Sequence, residues 1–404
     1  MTRRLLLLLT ALICLLVVLG LGWNAARQEP PIRIGVLHSL TGTMAVSEKP
    51  LVDAVRLAVD EINANGGLLG RQVKMVVADG RSDPQVFAAE ATRLIERERV
   101  SALFACWTSA CRKAVKPVVE SHNHLMFYPV QYEGLEQSPN LLYTGAAPNQ
   151  QIVPGTRWAM QQFGKRVYLV GSDYVFPRTA NLIIRDLVNA AAGEILAERY
   201  LPLGSAEVAA VVADIRRIHP DVVLNTINGD SNQSFIAALA QAGLAELPVV
   251  SFSMAESEMK TFGGARLARH YGVWNYFQSL PGEENRRFVA AWQTRFGAGA
   301  VTSDPVEATY AGVHLWAQAV RDARSPEPAR VNPPLLRQSF NGPAGISAVD
   351  MATRHLWKTV RVGKVRADGQ FEQVFASGAP LRPTPWPFYR TREAWQALQE
   401  GKTP

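Results

Sequence analysis

Polar and aromatic side chains recur at six places in the sequence, each directly after a short apolar run. The first three segments are SLTGTMAVSE (39–48), CWTSACRK (106–113) and YPVQYEG (128–134). The others are GSDYVFPR (171–178), NGDSN (228–232) and SMAESE (253–258). Hydroxyls, rings and carboxylates in such segments can hold a small molecule through hydrogen bonds and shape, without covalent chemistry.

Several of these side chains also fit a purely structural role. Ser109 opens a helix, so its hydroxyl either caps free backbone N–H groups or donates, together with them, to a ligand carbonyl. Trp107 is either a core residue or the floor of a cleft, and its place after a strand favours the cleft. Asp230 has the position of a helix N-cap, and Ser253 with Glu256 has the spacing of a capping box. Arg112 and Lys113 lie in the first turn of a helix, where the helix dipole disfavours a cation, so we expect both side chains to be solvated.

Signatures of enzymes are missing from the sequence. It contains no P-loop, nucleophile elbow or HExxH helix, and GGLLGR (66–71) follows a helix instead of a strand, the wrong order for a dinucleotide fingerprint. His122 and His124 have no third metal ligand nearby. A nucleophile at Cys106 or Cys111 would need a positioned base. We therefore expect no catalytic activity, no cofactor and no metal.

The elements that position the six segments alternate between strand and helix. One such series runs from Ile32 to Tyr128 and a second from Arg166 to Ser253, which predicts two α/β lobes with parallel sheets. Ligands bind at the carboxyl ends of parallel strands, so the six segments are expected to converge on one cleft between the lobes. A hairpin with Asp368-Gly369 at its turn follows, and the Pro-rich tail is expected to lie extended over the surface.

Length and charge agree with a two-domain globular protein. The chain has 404 residues, of which 48% are hydrophobic and 19% charged, and a net charge of +7. Because Lys and Arg are scattered and do not alternate with aromatic residues, nucleic-acid binding is not expected.

The N-terminus is typical of export. Arg3 and Arg4 precede an apolar run from Leu5 to Trp23, and residues 24–26 fit a cleavage region. We assign residues 1–26 to a signal peptide or, if uncleaved, a membrane anchor, which places the mature protein in the periplasm. Cys106 and Cys111 are expected to be free thiols, because a helix would hold them too far apart for a disulfide.

Several longer motifs resemble the substrate-binding proteins of urea ABC transporters. They are GVLHSLTGTMAVSEKPLVDA, CWTSACRKAVKPVVE, LMFYPVQYEG, SPNLLYTGAAPNQQ, GSDYVFPRTAN, NTINGDSN and VWNYF, and the match runs from about Ile32 to Phe375. The wider group includes branched-chain amino-acid receptors and amide-sensing regulators. The resemblance implies a type I periplasmic-binding-protein architecture of two Rossmann-like lobes with a hinge. It implies a first lobe of 32–147 plus about 276–350, and a second of 148–275 plus about 351–404.

The resemblance also implies which residues bind the ligand. Carried over by motif, these are Trp107, Ser109, Tyr128, Val130, Tyr174, Phe176, Asp230 and Glu256. Rings would wall a small pocket, Ser109 would donate to a carbonyl, and Asp230 or Glu256 would accept from N–H groups. Phe176 stands where the family is expected to have tyrosine, and GRSDPQ (80–85) lacks an expected tryptophan.

The implied function is capture of urea or a short-chain amide and delivery to an ABC permease. Urea is neutral and planar, with four N–H donors and one carbonyl, whereas an amino acid would need a cationic and a carboxylate partner together. An amide-sensing receptor of the same fold and a branched-chain amino-acid receptor remain the alternatives.

Overall fold

The computed structural model of the chain describes residues 29–262 and 266–399. The segment predicted to direct export, residues 1–26, lies outside them. Within the described ranges no helix has the length and apolar character needed to cross a membrane.

The strands follow one another along both halves of the chain. In chain order they are β1 (Ile32–His38), β2 (Val73–Asp79), β3 (Leu103–Ala105), β4 (Met126–Tyr128), β5 (Leu141–Tyr143), β6 (Arg166–Ser172), β7 (Glu194–Leu201), β8 (Val222–Thr226), β9 (Val249–Ser251), β10 (His270–Trp274), β11 (Ser339–Gly342), β12 (Gly345–Asp350), β13 (His355–Leu356), β14 (Arg361–Val365) and β15 (Phe371–Ala376).

The helices lie between these strands and after them. In chain order they are α1 (Ala45–Ala64), α2 (Pro84–Glu96), α3 (Ser109–Ser121), α4 (Ile152–Phe163), α5 (Val175–Ala190), α6 (Ala209–Ile218), α7 (Ser231–Gln241), α8 (Glu256–Phe262), α9 (Glu283–Phe296), α10 (Asp304–Ala323), α11 (Pro328–Leu335) and α12 (Arg392–Gln399).

The strands form two separate sheets, one for each lobe. The first has the order β11-β12-β13-β5-β4-β3-β1-β2 and the second the order β15-β14-β10-β9-β8-β6-β7. Neighbours among β1–β5 and among β6–β10 are parallel. In the first sheet β13 pairs in parallel with β5 and is followed by the antiparallel β12 and β11, and in the second sheet the antiparallel β14 and β15 follow β10. The prediction of an α/β fold with two Rossmann-like lobes is confirmed.

Helix α1 illustrates how the sequence pattern produces packing. Val52, Val55, Val59 and Ile62 recur at helical spacing and are all buried against the first sheet. The helix begins at Ala45, earlier than the proline at position 50 suggests, and it ends before Gly66 and Gly67 at positive φ. A Cβ at Gly67 would lie 2.0 Å from the Arg71 carbonyl oxygen, so only glycine fits there.

The chain passes between the lobes three times within the described residues. It leaves the first sheet after β5, returns after β10 and leaves again between β13 and β14. His355 of β13 pairs with Tyr143 of β5 in the first sheet. The third crossover therefore follows Leu356, a few residues later than the expected position near 350.

The C-terminal tail differs from the expected extended segment. It ends in helix α12, whose Trp395 is completely buried and donates from Nε1 to the Pro387 carbonyl oxygen at 2.7 Å. Arg390 holds the tail on the second lobe through two hydrogen bonds to Asp186, at 2.6 and 2.7 Å. The Pro-rich composition predicted an extended tail, but the tail includes a short amphipathic helix that contributes to the core of the second lobe.

Candidate functional site

The carboxyl ends of β1, β3 and β4 in the first lobe face those of β6, β8 and β9 in the second. Side chains bond directly across the gap. Trp107 Nε1 donates to Asn228 Oδ1 at 3.2 Å, and Gln131 Nε2 donates to the Phe252 carbonyl oxygen at 2.8 Å. At the margin, the hydroxyl of the half-buried Thr43 donates to the exposed Asp230. The six segments therefore meet in a closed cleft between the lobes.

A disulfide bond organises the segment after β3. Cys106 and Cys111 are bonded, with their Cα atoms 5.7 Å apart. The prediction of free thiols is wrong because Cys106 precedes helix α3 and has a left-handed φ of 70°, which brings its side chain over the first helical turn. The cap of this helix is Thr108, whose hydroxyl accepts from the Cys111 N–H at 3.1 Å, and not Ser109. Trp107 and Ser109 thus lie inside a short covalent loop.

Ser109 belongs to a buried charged network. Its hydroxyl donates to Glu133 Oε2 at 2.5 Å and accepts from Arg112 Nη1 at 2.8 Å. The Ser109 hydroxyl, which was expected to donate to a ligand carbonyl, therefore donates to Glu133 in this closed structure.

Arg112 is the centre of that network, although its position in the first turn of α3 predicted a solvated side chain. It is 0% exposed, and its guanidinium donates to Glu133 Oε1 and Glu136 Oε1, each at 2.9 Å. Burial opposes its charge, but Glu136 and Glu133 outweigh burial and raise the pKa of Arg112 above its usual range. The guanidinium also lies 4.9 and 4.5 Å from the ring centroids of Tyr128 and Tyr132.

Aromatic rings form the walls of the cleft. Tyr128 is buried and donates from its hydroxyl to the Trp107 carbonyl oxygen at 2.6 Å. Tyr174 precedes helix α5 in the second lobe, and burial, with smaller contributions from Tyr128 and Glu133, raises the pKa of its hydroxyl. The Tyr174 side chain is half-buried and packs against the core of the second lobe.

Two other predicted residues have mainly packing contacts. Val130 is 1% exposed, and its backbone lies so close to Gly145 that a Cβ there would be 2.1 Å from the Val130 carbonyl. Phe176 is buried in the core of the second lobe, with its ring centroid 6.5 Å from that of Tyr174.

The two acidic residues proposed as acceptors lie at opposite margins of the site. Asp230 is exposed at the start of α7, and its side chain does not cap that helix. It accepts instead from the Thr43 hydroxyl of the first lobe. Glu256 is buried and accepts from the Gln278 N–H at 2.8 Å, beside the second crossover. Burial, with Asp304 and Glu258 nearby, raises the pKa of Glu256 to about 8. The contacts of Glu256 are thus with the hinge and not with the aromatic walls.

Sequence analysis missed several cleft residues. Glu48, in the first of the six segments, is buried and accepts from the Ser39 N–H at 2.9 Å and pairs with His38 Nδ1 at 3.2 Å. Gln131 and Asn228 stand inside quoted motifs and supply the contacts between the lobes. All three residues lie in the segments that follow strand ends, and this position could have identified them as cleft residues. In residues 29–262 and 266–399 no cluster of three His, Cys, Asp or Glu side chains is suited to hold a metal ion.

Comparison with known proteins agrees with this architecture. Residues 32–392 match the family model described as a periplasmic binding protein domain. A Leu/Ile/Val-binding protein homolog 6 of Brucella melitensis biotype 1 is 22% identical over 364 residues, which cover 87% of this chain and 91% of that protein. A solute-binding protein of an ABC transporter from Rhodopseudomonas palustris BisB5, solved with 3,4-dihydroxy benzoic acid, superposes with a TM-score of 0.79 at 20% identity. It covers 88% of this chain and 99% of that one.

One further match is partial. A protein named limonene hydroxylase from Geobacillus stearothermophilus is 33% identical over 123 residues, which are 30% of this chain and only 22% of that protein. The relatives that span most of the chain are binding proteins, in agreement with the prediction of a receptor and not an enzyme. The chain belongs to the periplasmic binding protein family.

Proposed function

We propose that this protein captures urea or a short-chain amide between its lobes, outside the cytoplasm, and delivers it to the permease of an ABC transporter. In this proposal Trp107, Tyr128 and Tyr174 wall the ligand, and closure of the lobes removes it from water. Val130 and Phe176 pack behind the walls, and Asp230 fastens the margin of the cleft.

The observation that carries the proposal is the compensated charge of the first-lobe wall. Arg112 is fully buried, and its guanidinium is already paired with Glu133 and Glu136 at 2.9 Å. A ligand carboxylate would have to compete with two resident carboxylates for that cation. A neutral ligand avoids this competition, which favours an amide over an amino acid.

The remaining polar groups suit a ligand rich in N–H donors. The carboxylates of Glu48 and Glu133 are buried at the cleft, and a carboxylate offers about four acceptor positions. We infer that amide N–H groups of the ligand bond to these oxygens and that the Tyr174 hydroxyl donates to its carbonyl. In this scheme Ser109 orients Glu133 and does not itself contact the ligand, and Glu256 acts at the hinge.

A branched-chain amino acid is the second candidate, because the Brucella relative that spans most of the chain carries that name. Such a ligand would place its ammonium group against Glu48. Its carboxylate would then need a donor other than Arg112.

Calorimetry and thermal unfolding with a panel of urea, formamide, acetamide, leucine and glycine test the proposal. A ligand at 100 times its Kd stabilises the folded state by about 2.7 kcal/mol, which is readily seen as a rise in Tm. We expect one or more amides to bind and the amino acids to fail. Binding of leucine without binding of any amide would overturn the amide assignment in favour of the second candidate.

A further inference from the structure

The three segments that join the lobes converge on one side chain. Asn275 directly follows β10, on the second crossover, and is 1% exposed. Its Nδ2 donates to the carbonyl oxygen of Gln150 at 3.1 Å and to that of Thr359 at 3.0 Å. Gln150 belongs to the first crossover and Thr359 to the third. A single primary amide therefore links all three connections.

The backbone of Asn275 is held as well. Its N–H donates to Asp304 Oδ2 at 2.8 Å, where helix α10 begins in the first lobe. Its carbonyl oxygen accepts from the guanidinium of Arg361, on β14 of the second lobe. One residue thus contacts both lobes and every connection between them.

A second tie runs beside the first. Gln150 Nε2 donates to the Leu356 carbonyl oxygen at 2.9 Å and to that of Leu381 at 2.8 Å, while its Oε1 accepts from the Ala147 N–H at 3.0 Å. The first crossover is thereby fastened to the end of the first sheet and to the C-terminal tail.

These bonds differ from the contacts across the cleft. The bonds of Trp107 to Asn228 and of Gln131 to Phe252 join the facing walls and must break when the lobes separate. The bonds of Asn275 join segments close to the line about which the lobes rotate, so rotation changes their lengths little. In hinge closure a few residues between the domains absorb the change in backbone angles.

We propose that Asn275 is the pivot of lobe closure and a positioning residue for ligand capture. It holds the three crossovers side by side, so that Trp107 and Tyr128 meet the second lobe in one register whenever the lobes close. This inference rests on the proposed function only in assuming that the lobes open and close around a ligand. Asn275 does not itself contact the ligand.

The test compares Asn275→Ala with Asn140→Ala. Asn140 is also buried, and its Nδ2 donates to the His124 carbonyl oxygen at 2.7 Å and to Asn123 Oδ1 at 3.2 Å, all within the first lobe. The two substitutions remove the same side chain and two donated hydrogen bonds, one set at the hinge and one set inside a lobe. Small-angle X-ray scattering measures the radius of gyration with and without saturating urea, and calorimetry measures urea affinity.

For Asn275→Ala without ligand we expect a larger radius of gyration and a wider range of maximum dimensions than for the wild type. Urea affinity should fall roughly tenfold, the effect of about one hydrogen bond, although the cleft residues are unchanged. For Asn140→Ala the scattering curve should match that of the wild type and urea affinity should stay within twofold. This should hold even if the Tm of Asn140→Ala falls as much as that of Asn275→Ala.

Equal scattering and equal affinity for the two variants would overturn the proposal. If Asn275→Ala gives too little folded protein, Asn275→Ser carries the same test, because a single hydroxyl cannot replace the two bonds that Nδ2 donates to Gln150 and Thr359. In that variant a larger radius of gyration and a weaker urea affinity, even by a smaller amount, support the proposal, whereas wild-type scattering contradicts it. Failure of every amide in the panel to bind the wild type would count against the proposed function alone, since the ligand-free scattering still tests the hinge.

Discussion

Each lobe buries a carboxyl near the cleft, and the two carboxyls are in opposite electrostatic settings. Glu136 in the first lobe accepts from Arg112 Nε at 2.9 Å and from the Tyr143 hydroxyl at 3.0 Å. Burial alone would raise its pKa, but Arg112 lowers it to about 2. Glu256 in the second lobe has Asp304 and Glu258 nearby, and burial raises its pKa to about 8. The difference shows that a nearby cation, and not the extent of burial, decides whether a buried carboxyl stays ionised.

The same comparison separates the roles of the lobes. The first-lobe wall is fixed by a compensated ion network and a disulfide bond, so we expect it to be formed before a ligand arrives. The second-lobe wall contributes Asn228 and the carbonyl of Phe252, groups that engage only on closure. The first lobe therefore supplies a preformed platform and the second a cover.

The largest effect is expected when the ion network loses its cation. Arg112→Met leaves Glu133 and Glu136 buried without their guanidinium partner, and breaking such a pair costs about 3–5 kcal/mol. Unfolding in guanidinium chloride, chosen because urea is a candidate ligand, measures the loss. Arg178→Met, which removes the exposed pair with Asp173, is the control and should cost less than about 1 kcal/mol. Equal losses would mean that the first-lobe platform is not held by its charges.

Removal of an aromatic wall should act on binding. Trp107→Ala deletes ring surface and the donor to Asn228, and truncating a central buried aromatic residue costs about 2 kcal/mol or more of binding free energy. Calorimetry with the ligand found in the panel should show affinity reduced by roughly thirtyfold or more. Phe388→Ala, at a position 71% exposed on the tail, should leave affinity unchanged. Wild-type affinity in Trp107→Ala would place the ligand elsewhere.

The disulfide tests how far the first-lobe wall is preformed. It closes a loop of six residues, for which chain entropy predicts about 2 kcal/mol of stabilisation. Cys106→Ser with Cys111→Ser should lower Tm and weaken the ligand, because Trp107 and Ser109 lie inside the loop. Dithiothreitol should lower the Tm of the wild type and leave that of the double variant unchanged. A wild-type affinity in the double variant would show that the ion network alone fixes this segment.

The smallest effect concerns pH and the second lobe. Because the folded-state pKa of Glu256 is raised to about 8, its contribution to stability is fully present below about pH 4.5 and is lost as pH rises through 8. Glu256→Gln should flatten this loss between pH 5 and 8, because an amide side chain does not titrate. Chemical unfolding at a series of pH values measures it. Part of the slope should remain, because burial also raises the pKa of Glu307 to about 7.

Glu207→Gln, at an exposed position of the second lobe, serves as the control and should reproduce the wild-type slope. An unchanged slope in Glu256→Gln would mean that the second-lobe carboxyl is compensated after all, and the contrast with Glu136 would disappear.

Local pattern was sufficient for the fold. The stripe of Val52, Val55, Val59 and Ile62, and the alternation of strands and helices, predicted two α/β lobes because burial of one helix face and of parallel strands leaves a periodic signal. The cleft was predicted from strand ends for the same reason. The family resemblance implied eight ligand-binding side chains in those segments, and of these Trp107 and Tyr128 are in direct contact with each other.

Long-range pairing was beyond local pattern. Arg112 was expected in solvent because the helix dipole disfavours a cation in a first turn, and its partners Glu133 and Glu136 lie beyond the following strand. The disulfide bond of Cys106 was not predicted because the left-handed backbone at this residue is not signalled by a glycine. Glu256 matched a capping box, yet it is Glu258 that accepts from the Ala255 N–H at 3.1 Å, which frees Glu256 to meet the second crossover.

One backbone contact of the tail constrains the order of assembly. The N–H of Leu135, next to the cleft segment after β4, donates to the carbonyl oxygen of Pro385 at 2.9 Å, and Gly134 leaves room for that carbonyl. The segment after β4 is thus completed by a residue of the C-terminal tail that is far away in sequence. The hydrogen bond at Leu135 can form only after the segment that contains Pro385 has been synthesised, so this part of the cleft wall depends on a distant stretch of the chain.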